Sequence, residues 1–220
     1  MLYIVSTPIG NLEDMTLRAI RTLKEADYIT AEDTRHTQKL LQKYEIKTPT
    51  MSFHSYSSDS KLEKIVDLLK EGKEVALVSD AGTPGISDPA YSLIRRAIEE
   101  NIRVVPIPGA SSMLAAIVSS GLPMDKFLYL GFLPLKKGRQ TLLKSLQDEK
   151  RTLVIFESPH RLIRTLKELK EYLGDREIAV CRELTKIYEE ILRMTLSEAS
   201  DHFDKKPPKG EFVLVVRGCK

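Results

Sequence analysis

Only two cysteines occur in the 220 residues, Cys181 inside an apolar run and Cys219 at the end of the chain. Two lone thiols do not make a disulfide framework, and they fit a reducing, cytoplasmic setting. No stretch comes near the roughly 20 apolar residues that a bilayer span demands, so no membrane partner is expected. The first residues, MLYIVSTPIG, run straight into a strand-like pattern without a basic segment or cleavage site, so no export signal is expected. His36, His54, His160 and His202 are scattered, and no Cys or His pair has metal-ligand spacing, so no metal is expected. There is no G-x-x-x-x-G-K-[ST], no G-x-G-x-x-G after the first strand and no G-x-S-x-G. Those gaps argue against a P-loop, a dinucleotide fingerprint and a hydrolase nucleophile elbow.

What remains has the balance of a soluble globular protein, 42% hydrophobic and 30% charged. The length suits one large domain or two of about 100 residues. Charge is uneven. Residues 1–120 carry 14 Lys+Arg against 16 Asp+Glu, whereas residues 121–220 carry 20 against 15. A modestly basic second half suits a polyanion, although a surplus of this size is also ordinary surface chemistry.

The first half alternates. Apolar runs at 2–5, 27–31, 50–53, 74–78 and 103–107 read as strands, separated by helical patterns. Leu62, Ile65, Val66 and Leu69 make one apolar stripe. Ser60 with Glu63 forms a capping-box signature, and Asp88-Pro89 offers an N-cap followed by proline at the first helical position. Strand and helix in alternation predict βαβ units and a mainly parallel sheet. The second half has strands at 127–132, 152–156 and 177–181, then two more near 189–194 and 211–217 with only a short helix and the polar DKKPPKG between them. That pattern predicts a mixed sheet. Gly121 and Pro123 mark the expected seam, giving domains 1–120 and 121–220 with a ligand cleft between them.

Ligands of open parallel sheets sit beyond the carboxyl ends of the strands. STPIGN, EDTRHT, SDAGTPGISDP and PGASS occupy those places in the first half, as do ESPHR and RELTK in the second. The densest is 79–89. Gly82 and Gly85 let the backbone turn sharply and approach a ligand, while Pro84 and Pro89 stiffen it. Asp80, at the strand tip, is placed for ribose hydroxyls or a cation. Ser111 and Ser112 either cap the next helix or donate to a ligand at its positive end.

Seven stretches, in order, cover nearly the whole chain: YIVSTPIGNLEDMTLRA, AEDTRHTQKLL, VSDAGTPGISDP, PIPGASS, GFLP, FESPHR and KGEFVLVV. Together they resemble the branch of the tetrapyrrole methylase superfamily that modifies ribosomal RNA. The resemblance implies two αβα domains, S-adenosylmethionine in the cleft, a working homodimer, and 2′-O-methylation of a cytidine ribose in 16S rRNA of the small ribosomal subunit. By position, it implies cofactor contacts at Pro8, Ile9, Asp80, Ala81, Gly82, Thr83, Ser111 and Ser112, and at Phe156, Cys181 and Gly210 in the second half. For Phe156 and Cys181, plain strand core is the competing reading. Many bacterial relatives continue into a small helical domain, whereas here the chain ends four residues beyond Val216.

A ribose hydroxyl is a weak nucleophile at neutral pH, so a base, a cation or accurate alignment is needed. Glu32, Asp33, Arg35 and His36 on one rim, with Glu157, His160 and Arg161 from the second half, are the candidates. Asp33, Arg35, Glu157 and His160 are the residues expected to act: Asp33 by accepting a proton, Arg35 by gripping a phosphate and His160 through its intrinsic pKa. Asp33 is equally placed to cap a helix. For RNA, Lys136, Lys137 and Arg139 in one loop and Arg161 and Arg164 on one helix face supply phosphate contacts. Two alternatives stay open, namely methylation of a tetrapyrrole or a protein side chain, and a non-catalytic cofactor-binding assembly factor.

Overall fold

The computed structural model describes residues 1–54 and 59–219, and the chain divides into two compact units, Met1–Ser111 and Ser112–Lys220. The first unit holds strands β1 (Leu2–Val5), β2 (Tyr28–Ala31), β3 (Thr50–Ser52), β4 (Val75–Val78) and β5 (Val104–Ile107). All pairings are parallel, in the order β3-β2-β4-β1-β5. β4 is the continuous apolar run VALV because both of its faces are covered. Pro106 is tolerated because β5 lies at the sheet edge, where a missing N–H breaks no ladder.

Alternation sorts the side chains into two cores. Val5, Ala76 and Val78 face helices α1 (Leu17–Glu25) and α2 (Thr34–Lys43). Leu2, Ile4, Val75 and Leu77 face α3 (Asp59–Lys70) and α4 (Ala90–Glu99). Each fully buried Leu or Val contributes about 1.5–3 kcal/mol of hydrophobic stabilisation. Two capping expectations move. Ser60 lies inside α3, which already runs at Asp59. Pro89 occupies the N-cap position of α4, and Asp88 stands one residue earlier. The Asp88 carboxylate accepts from Gly85 N–H at 2.8 Å and Ala90 N–H at 2.9 Å, so it closes the loop onto the helix.

The second unit contains α5 (Ser112–Ser120), β6 (Phe127–Phe132), α6 (Arg139–Ser145), β7 (Thr152–Glu157), α7 (Leu162–Leu173), β8 (Glu177–Arg182), β9 (Glu190–Thr195), α8 (Leu196–Lys205) and β10 (Phe212–Val216). Its sheet runs β6-β7-β10-β8-β9, with β6 and β7 parallel and every other pair antiparallel. The last strand is thus inserted at the centre. One face packs a core of Leu153, Ile155, Val180 and Leu214 against α6, α7 and α8. α5 lies against β8 and β10, which places it with this unit, ahead of the Gly121–Pro123 break. The architecture is α/β throughout, a parallel sheet and a mixed sheet, each layered with helices.

Candidate functional site

β1 and β4 are neighbours, yet the chain leaves them in opposite directions, from β1 to α1 on one face and from β4 to α4 on the other. Such a switch point opens a crevice at the carboxyl ends of the strands. The loops flanking it are sewn together. Thr7 and Gly82 form an antiparallel bridge, Thr7 N–H to Gly82 O at 2.9 Å and Gly82 N–H to Thr7 O at 3.0 Å. The buried Thr7 Oγ1 donates to Ser79 O at 3.1 Å, and Ser79 Oγ donates to Gly82 O at 3.2 Å. Ser6 Oγ and Thr83 Oγ1 share a hydrogen bond of 2.8 Å, and Thr83 Oγ1 reaches Ala110 O at 3.5 Å.

The glycines are required here. Gly82 (φ +80°) and Gly85 (φ +92°) both adopt the left-handed conformation, and a Cβ on Gly82 would meet Ile9 Cγ2 at 3.4 Å. Gly109 packs against Ser6 so closely that a Cβ there would lie 2.9 Å from the serine Cβ. Pro8 and Ile9 are buried beneath the loop, Ala81 is exposed, and Asp80 and Thr83 are half-buried. Ser6, Thr7 and Gly109 had no assigned task in the sequence. Their only signal was small residues at matching strand ends.

The β2 loop joins the same rim, because Asp80 Oδ1 accepts from Asp33 N–H at 3.1 Å. Burial, reinforced by the negative fields of Asp80 and Asp88 and opposed by His54, raises the Glu32 carboxyl above the usual carboxylate range. A cavity of about 500 Å³ opens beside it, lined by Glu32, Ser87, Asp88, Pro89, Tyr91 and Ser92.

The family model for tetrapyrrole (corrin/porphyrin) methylases matches residues 1–200, which include every loop of this rim. The chain belongs to the tetrapyrrole methylase family. Among curated relatives of this methylase, the ribosomal RNA small subunit methyltransferase I of Thermotoga maritima is 52% identical over 99% of the chain and 98% of its own length. The Bacillus subtilis protein of that name is 50% identical over 99% of the chain and 75% of its own length. Solved structures share the fold at low identity. A diphthine synthase matches with a TM-score of 0.76 at 14% identity, covering 98% of the chain and 89% of its own. A cobalt precorrin-4 methyltransferase matches with 0.70 at 20%, covering 97% and 93%.

In the methylase's second unit, Phe132, Phe156, Val213, Cys181 and Ile191 form one cross-strand row. Phe156 is partly exposed, with edge-to-face contacts to Tyr129 at 5.2 Å and Phe132 at 5.7 Å. Cys181 is buried beneath α5, its Sγ 3.9 Å from Ala116 O, and burial pushes its thiol up to about 11. Gly210 (φ +92°) abuts Glu183, whose Cγ would lie 2.5 Å from an added Cβ, so local packing already demands glycine there. Ser111 ends the first unit, and Ser112 begins α5.

The acid–base candidates are engaged locally. Asp33 is the N-cap of α2, accepting from Arg35 N–H at 2.8 Å and His36 N–H at 3.4 Å. The Arg35 amide, with its side chain, holds the Asp33 carboxyl below the usual range. Arg35 itself is almost fully exposed. The Glu157 side chain has no exposed surface and is hydrogen-bonded on both oxygens. Oε1 takes Ser158 N–H and Arg161 Nε, each at 2.8 Å, and Oε2 takes Thr165 Oγ1 at 2.6 Å. His160 lies exposed in the turn before α7.

Of the RNA candidates, Lys136 and Lys137 are exposed as expected. Arg139 is not a solvent-facing cation. It is 3% exposed and donates to Glu168 Oε2 at 2.6 Å, Pro134 O at 3.0 Å and Thr165 Oγ1 at 2.7 Å. Its guanidinium is consumed in joining α6 to α7. Arg161 is held by Glu157 and stands over the Phe132 ring at 5.7 Å. Arg164 is exposed and pairs with Glu168 at 2.9 Å. Among the described residues, no group of three or more His, Cys, Asp or Glu side chains is arranged for a metal, and no helix is long and apolar enough to cross a membrane.

Proposed function

We propose that this methylase transfers a methyl group from S-adenosylmethionine to RNA of the small ribosomal subunit, at the 2′-oxygen of a cytidine ribose. The similarity at 52% identity to a relative named as a methyltransferase of small-subunit ribosomal RNA carries the RNA target, and the cytidine 2′-oxygen is the finer reading that the sequence motifs suggest. The rim of the first unit suits the cofactor. Asp80 offers a half-buried carboxylate for ribose hydroxyls, Gly82 keeps a side chain out of the approach, and the stitches through Thr7, Ser79 and Thr83 hold the loop in place before anything binds. When bound, the cofactor supplies a methyl group on a positively charged sulfur, an electrophile that needs no further activation.

The chain's own task is then to align the ribose and remove its proton. Asp33 is a poor acceptor because helix capping holds its carboxyl low, and Glu157 has both oxygens occupied. Glu32, raised by burial and flanked by the cavity, is the carboxylate of the rim best suited to receive a proton. Arg35, almost fully exposed, suits a grip on a phosphate of the RNA.

Isolated small subunits incubated with methyl-labelled S-adenosylmethionine test the reading. A single 2′-O-methylated cytidine in 16S rRNA is expected. Label appearing in a porphyrinoid or protein side chain instead, or cofactor binding without turnover, would refute it.

A further inference from the structure

The stretch KPPK at 206–209, between α8 and β10, borders a half-open pocket of about 320 Å³, within the range of small-ligand pockets. Pro207 and Pro208, backed by the buried Phe203, form an apolar wall. Arg182, Lys206 and Lys209 bring three cations to it, against the single carboxylate of Glu190. Arg182 follows Cys181 and so points to the opposite face of the sheet, the face carrying Phe203 of α8. The cavity is therefore separate from the face that carries Phe156 and Cys181.

Its charges are incompletely spent. Arg182 Nε donates to Lys209 O at 2.7 Å, which fixes the guanidinium, while its approach to Glu190 is long at 3.5 Å. Lys206 approaches Glu190 only to 4.0 Å, and the Lys209 ammonium has no ion-pair partner among the described residues. The loop joining Arg182 to Glu190 is pinned by Lys186 Nζ, 2.9 Å from both Glu183 and Glu211, and it presents a Tyr188 side chain that is 70% exposed.

We infer that this pocket binds one nucleotide of the RNA substrate, its base against Pro207 and Pro208 and its phosphate on Arg182, Lys206 and Lys209. The inference rests on the RNA reading above and adds a second RNA-binding surface to it. An apolar wall receives the face of a base, and cations take the phosphate. Glu190 specifies more. A carboxylate accepts from the exocyclic amine of cytosine and repels the O4 acceptor of uracil. The pocket is thus selective for an amine-bearing base.

Equilibrium binding of labelled oligo(C) and oligo(U) to the full chain tests this, alongside methyl transfer to small subunits. In K206A/K209A, oligo(C) affinity and the KM for subunits should each worsen about tenfold, with kcat and S-adenosylmethionine affinity unchanged. The slope of log affinity against log salt should shrink by about 0.7 for each phosphate that the variant no longer neutralises. E190Q should bind oligo(C) and oligo(U) alike. Unchanged oligo(C) affinity and salt slope in the folded double variant would overturn the inference, as would loss of polyglutamate binding with RNA binding intact. Should the wild-type chain bind oligo(C) through these lysines yet methylate no subunit, the functional reading fails and the pocket assignment stands.

Discussion

Arg139 shows how a single side chain changes meaning between sequence and structure. In LKKGRQ it belongs to a basic loop, but in the fold it is the buried partner of Glu168 and Thr165. Removing one member of such a buried pair leaves uncompensated polar groups, so Arg139→Ala should lower stability by about 3–5 kcal/mol in urea denaturation. The exposed Lys137→Ala should stay within about 0.5 kcal/mol of wild type. Glu32 gives a pH signature. Its folded carboxyl holds a proton more tightly than the unfolded one, so stability declines as pH rises from the ordinary carboxylate range through the raised folded value. Glu32→Gln should raise the melting temperature at neutral pH and leave it nearly unchanged in acid below that range. A loss of stability at neutral pH would show that the carboxylate makes a favourable contact there.

Among the elements, the loop from Ser79 to Gly85 is the most fully determined by local chemistry. Its two glycines hold positive φ, and Gly82 and Thr83 close it onto the segments that follow β1 and β5. Valine at Gly82 would carry a left-handed backbone cost of about 1–3 kcal/mol and press on Ile9. Gly82→Val should remain folded by circular dichroism and lose S-adenosylmethionine uptake in calorimetry. Normal uptake by the folded variant would refute the assignment of this loop to the cofactor. Capping shows why a short motif is only half informative. The S/T-x-x-E pattern fails at Ser60, which lies within α3, yet Thr195 and Glu198 form a complete capping box at the start of α8. The motif states a capacity, and the path of the preceding chain decides whether the first residue lies outside the helix.

For the whole molecule, the expected homodimer is tested by sedimentation velocity at micromolar concentration, where a species of about twice 24.9 kDa is predicted and a monomer at all concentrations would refute it. Much of the architecture was written in local order. Strand and helix alternate in residues 1–111 because each apolar run is flanked by its own stripe-bearing helix, and such units close only as a parallel sheet. The glycines of the β4 loop were equally legible, since backbone freedom is a property of neighbours along the chain. Strand order, the insertion of β10 between β7 and β8, and the grouping of α5 with the second unit were not. Nor were the partners of buried polar groups: Arg139 finds Thr165 26 residues away, and Thr7 meets Gly82 across 75. The sequence by itself determined which segments become strands, helices and tight turns, because those choices follow from side-chain periodicity and backbone freedom. Only the tertiary structure decided which polar groups are spent on one another and which still face solvent, because that depends on distances between segments far apart in the chain.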